Sequence, residues 1–97
     1  MAKKNISKHI MKQVQQLVDD EALYARRVYN VKFTYHGYST DVQTFYVWQE
    51  DDSPEPVEHY MLEDLQSKVQ EINSRYRIGI MYQGEHPNDA NSENEWF

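Results

Sequence analysis

The sequence predicts a small α+β domain with elements in the order α-β-β-α-β. Apolar residues recur at helical spacing in two segments, one opening the chain and one after Pro56. Strict alternation fills the stretch after Val28 and returns in residues 76–82, which reads as strand. Glycine and proline stand where the period changes.

The first helix is expected to begin at Asn5 or Ser7, either of which can cap it, with Ile6, Ile10, Val14 and Leu17 on one face. Glu21 lands inside that apolar stripe. Two readings resolve the conflict: a kink or break near residues 18–20, or an uninterrupted helix to about Ala25 with Glu21 at its edge. Asp19, Asp20 and Glu21 ahead of Arg26 and Arg27 suit the two ends of a short second segment, acids at its start and bases at its end.

From Val28 the period becomes two: Tyr29, Val31, Phe33 and Tyr35 alternate with Asn30, Lys32, Thr34 and His36. His36-Gly37-Tyr38-Ser39 is the expected turn, because Gly37 takes the positive φ that hairpin turns require. The return strand covers residues 40–49. That pairing sets Tyr29, Val31 and Phe33 on one face with Val42, Thr44 and Tyr46, and leaves Val28, Phe45 and Val47 on the other. Residues 50–58 form an acidic, proline-bearing connection, with Ser53 or Glu55 placed to start the next helix and proline in its first turn. Val57, Met61, Leu65, Val69 and Ile72 make that helix amphipathic, and it ends near Asn73 and Ser74. The third strand follows.

A helix between the second and third strands makes them run in the same direction. Placing the third beside the first gives an antiparallel sheet of order 2-1-3 with both helices on one face. The first strand, as the longest alternating segment, makes the best centre; order 1-2-3 with a parallel pair is the alternative. The compact domain is expected to span residues 1–84. Residues 85–97, polar and without periodicity, read as a disordered acidic tail.

A chain of 97 residues holds one domain. Without cysteine it has no disulfide framework and no thiolate site, which suits a reducing cytoplasm. No apolar run approaches a membrane span or follows the N-terminal lysines as in a secretory signal, so a cytoplasmic protein is expected.

The charge is sorted along the chain. Four lysines (Lys3, Lys4, Lys8 and Lys12) and no acid occupy the first twelve residues, and sixteen acids face six basic residues in the rest. A body of that sign is repelled by phosphate backbones and anionic membranes and attracted to surfaces that bind them. The expected partner is therefore a basic protein surface on a nucleic-acid-binding host protein, with no direct nucleic-acid or membrane contact. Lys4, Lys8 and Lys12 share a helix side, but without nearby arginine or interleaved aromatics they read as a solvated first turn.

Enzyme signatures are missing. Gly37, Gly79 and Gly84 are too scattered for a phosphate loop, and no serine sits at a strand-to-helix elbow. Glu55, His59 and Glu63 share a helix face in this reading, opposite the apolar stripe, where such residues are ordinarily solvated. No metal and no cofactor is expected. The candidate binding residues are two acidic clusters: Asp19, Asp20 and Glu21, and Glu50, Asp51, Asp52, Glu55 and Glu58. Carboxylates on a rigid support can stand in for phosphates in a basic groove.

The chain closes on Asn91-Ser92-Glu93-Asn94-Glu95-Trp96-Phe97. This is similar to the acidic tails of single-stranded-DNA-binding proteins, which end in phenylalanine and dock that ring with its carboxylate into a basic, apolar pocket. Trp96 stands where the bacterial version has proline. The resemblance implies that Trp96 and Phe97 bind a partner; folding back over the exposed sheet face is the other reading.

Small, acidic, tyrosine-rich, cysteine-free domains resemble in style the anti-CRISPR proteins and DNA mimics by which phages and mobile elements block host machinery. The expected function is such an inhibitor. The alternative is a homo-oligomeric structural or accessory protein, a possible homodimer, that self-associates through Val28, Phe45 and Val47.

Overall fold

The structure, a computed structural model, describes residues 7–82. The expected tail, with Trp96 and Phe97, and Lys3 and Lys4 lie outside those residues. Within them run α1 (Lys8–Tyr29), β1 (Phe33–Ser39), β2 (Thr44–Gln49), a 3-10 turn (His59–Leu62), α2 (Glu63–Ile72) and β3 (Arg77–Met81). The α+β class and the element order are those read from the sequence.

Helix α1 is capped at its start by a side chain and at its end by a left-handed residue. The amide of Ile10 donates to Ser7 Oγ at 3.1 Å. Asn30 closes the helix in the left-handed region (φ 61°), which asparagine tolerates, and Arg26 Nη1 donates to its Oδ1 at 3.0 Å. The helix is unbroken through residues 18–20 and does not stop at Ala25. It runs through Val28 and Tyr29, which are its last turn and not the first residues of a strand. Glu21 is buried beside Val14, Val18 and Ala25.

The hairpin differs from its sequence reading in the place of its turn and in one further residue with wide effect. Its turn is residues 40–43, with Gln43 at φ 49°, and Gly37 lies inside β1. Tyr35 pairs with Val47 and Gly37 with Tyr46, so His36 is an extra residue, a β-bulge. One inserted residue reverses the facing of everything before it. Phe33 and Tyr35 therefore lie on the same face as Tyr38, Phe45 and Val47.

Strand β2 is central. It pairs antiparallel with β1 and parallel with β3, in the order β1-β2-β3, with Phe45 opposite Ile78 and Val47 opposite Ile80. The order 2-1-3 is thus corrected. Much of the alternation credited to the first strand belongs to the end of α1 and the link after it, so β1 had no greater claim to the centre. The connection from residue 50 to residue 76 is long enough for a parallel crossover.

The core lies between the two helices and this sheet face: Val14, Val18, Phe33, Phe45, Val47 and Leu65 are each at most 2% exposed. Tyr38, Phe45 and Tyr76 join it as an aromatic trio, with Phe45 and Tyr76 edge to face at 5.0 Å. Val28, Phe45 and Val47 do not share a face. Phe45 and Val47 are wholly buried in this core and Val28 is on α1, so the three form no common surface for self-association. The face turned away from the helices carries Thr44, Tyr46 and Trp48 instead, with Trp48 stacked on His36 at 5.6 Å.

Helix α2 also guards the edge of the sheet. Arg77 donates its amide toward β2, to Gln43 O, so the amide of Ile78 points outward. Gln66 Oε1 accepts from that amide at 3.2 Å, and Gln70 Nε2 donates to Tyr76 O at 3.2 Å. Two side chains thereby occupy groups that would otherwise template another strand.

A candidate interaction surface

The acidic connection after β2 is a pinned loop and not the first turn of a helix. Pro54 and Pro56 push the residues before them toward extended backbone. Ser53 is consumed locally: its Oγ accepts from the Lys32 amide at 2.9 Å and donates to Glu55 O at 2.6 Å. The Glu55 amide donates to Asn30 O, and Gln49 Oε1 accepts from the Val57 amide at 2.7 Å. These bonds fasten the loop to the C-terminal end of α1 and to β2. Helical structure begins only at His59, so Glu55 is off the helix and does not share a face with His59 and Glu63. Among the described residues no group of three histidine or acidic side chains could hold a metal ion.

Asp51, Asp52, Glu55 and Glu58 are all exposed on this loop, and Glu50 at its start is half-buried. Lys32 Nζ reaches Asp52 Oδ2 at 2.7 Å. That hydrogen bond, opposed by some desolvation and aided by the lysine's charge, holds the Asp52 carboxyl below the ordinary range.

The other acidic cluster divides. Asp19 and Asp20 are exposed on α1, with Gln16 Nε2 donating to Asp20 Oδ1 at 3.0 Å. Glu21 turns inward toward α2. Burial raises its carboxyl, the Lys68 ammonium lowers it and Asp64 raises it further. Glu21 is therefore no part of an outward acidic surface. Asp20 lies ten residues, about 15 Å, along the helix from Asn30, where the loop is fastened, so the two clusters form separate patches.

Beside Glu55 and Glu58 the structure holds a surface that the sequence reading missed. A groove of about 450 Å³ runs between the last turn of α1 and the 3-10 turn, lined by Val28, Tyr29, Glu55, Pro56, Glu58 and Tyr60. Val28 is 52% exposed, Tyr60 55% and Tyr24, one turn back from Val28, 47%. The rings of Tyr29 and Tyr60 meet edge to face at 5.7 Å and tie the two elements together. The Tyr29 hydroxyl is raised, first by desolvation and then by Tyr24, Tyr60, Asp64 and Glu21 around it. The usable signal was in the sequence: Tyr24 and Val28 are four apart and off the Val14–Val18–Ala25 stripe, and Tyr60 is off the Val57–Met61–Leu65 stripe.

No helix among the described residues is long and apolar enough to cross a membrane. No protein-family model, curated protein or solved structure matches the chain.

Proposed function

We propose that this protein is a non-enzymatic, stoichiometric inhibitor, of the kind made by phages and mobile elements, that covers a basic surface of a host nucleic-acid-handling complex. The observation that carries the reading is the rigid acidic loop, four exposed carboxylates at residues 51, 52, 55 and 58 fastened to both α1 and β2. A fixed array of charges meets a phosphate-binding surface without first being ordered, which favours both rate and register.

Two measurements test it. Affinity capture from a bacterial lysate supplies the partner, and excess double-stranded DNA or RNA should then displace the protein from it. The quadruple variant Asp51→Asn, Asp52→Asn, Glu55→Gln, Glu58→Gln should keep its fold, since exposed charges contribute on the order of 0–1 kcal/mol each. It should bind that partner about tenfold or more weakly, mainly through slower association. A partner that holds the variant as tightly as the parent, or that nucleic acid does not displace, overturns the reading.

A further inference from the structure

We propose that the groove between α1 and the 3-10 turn is the docking site for an arginine-bearing segment of a partner protein. The inference rests on the reading above that the partner is basic, and it names where and by what chemistry contact is made. The acidic loop alone would not define such a site; the tyrosines beside it do. Tyr24, Val28 and Tyr60 expose apolar area on two elements that the Tyr29–Tyr60 contact locks together, and Glu55 and Glu58 rim it. Asp64 also acts electrostatically on the Tyr29 hydroxyl, so acidic charge stands beside the groove as well as on its rim.

Arginine fits this arrangement better than lysine. Its planar guanidinium stacks on a tyrosine ring while its fork of donors takes a carboxylate, and it is more weakly hydrated than an ammonium. A leucine or similar side chain next to the arginine would cover Val28. Tyrosine and arginine are also the residues that concentrate binding energy at protein interfaces.

The test uses the full chain, isotopically labelled for NMR, and a short peptide carrying two arginines around a leucine, with lysine and glutamate counterparts. The arginine peptide should shift the amides of Val28, Glu58 and Tyr60 most, the lysine peptide should bind more weakly, and the glutamate peptide should leave the spectrum unchanged. Tyr60→Ala should weaken the arginine peptide about threefold to tenfold. Val28→Ser leaves the Tyr29–Tyr60 contact in place and should weaken it in the same direction, with an unchanged melting temperature as the control for folding. Shifts centred on Asp51 and Asp52, or affinity indifferent to both substitutions, overturn the docking site while leaving the acidic inhibitor standing. Binding that tightens when residues 1–6 are removed assigns the groove to the chain's own lysines and likewise overturns it. If the peptide docks as expected but the captured partner is not displaced by nucleic acid, it is the inhibitor reading that fails.

Discussion

Glu21 shows how one side chain couples the sequence to stability. It is 6% exposed in the seam between α1 and α2, and burial raises its carboxyl above the usual range against the pull of Lys68. Below the unfolded value near pH 4.5 both states are protonated and the residue carries no electrostatic cost. As pH rises through the folded value the unfolded state has already released its proton, so ionisation favours unfolding and stability is lost. Glu21→Gln should therefore melt at a higher temperature than the parent at pH 7 and at the same temperature near pH 3. Equal melting at pH 7 would show that the Lys68 attraction offsets the desolvation. The sequence marked Glu21 as out of place in an apolar stripe. What it could not show is that a helix from elsewhere in the chain would supply Lys68 and make a break unnecessary.

The strands show what alternation does and does not reveal. Residues 76–82 and the return strand were legible as strands because β-branched and aromatic residues fill them, although β2 begins at Thr44 and residues 40–43 are the turn. The bulge at His36 was not legible. A glycine in a run of alternating residues marks a turn or a bulge equally well, and only pairing with β2 decides. Strand β3 carries a tighter constraint. A Cβ added at Gly79 would lie 2.5 Å from Tyr46 Cε1, 2.8 Å from its Cδ1 and 3.2 Å from Thr44 Cγ2. Gly79→Ala should destabilise the fold by about 1–3 kcal/mol in urea titration, the typical cost of overpacking. In a Tyr46→Ala background the same change should cost clearly less, because the clash is with that ring. Additive effects would place the strain elsewhere in β3.

At the scale of the molecule, ten net negative charges beyond the lysine-bearing start are an electrostatic property before they are a structural one. Exposed charges steer encounter and are screened over about 10 Å at 0.1 M salt. Raising sodium chloride from about 50 to about 300 mM should slow association with the captured partner by about tenfold, with little change in dissociation. The quadruple loop variant should show a shallower salt slope by stopped-flow. Equal slopes would move the steering charge to Asp19 and Asp20 or to the outer face of α2.

The sequence by itself determined the properties that are local or summed: element type and order, the end of α2 near Asn73, its apolar stripe and the sign of the charge. Each depends on residues within a few positions of one another, or on no arrangement at all. Tertiary structure decided the rest. It set β2 at the centre, turned Phe45 and Val47 into the core, buried Glu21, and pinned the acidic loop beside Val28, Tyr29 and Tyr60. Those outcomes rest on contacts between segments far apart in the chain, such as the Glu55 amide on Asn30 O or Lys32 on Asp52. Periodicity reports which residues share a face of their own element; it carries no information about which other element that face will meet.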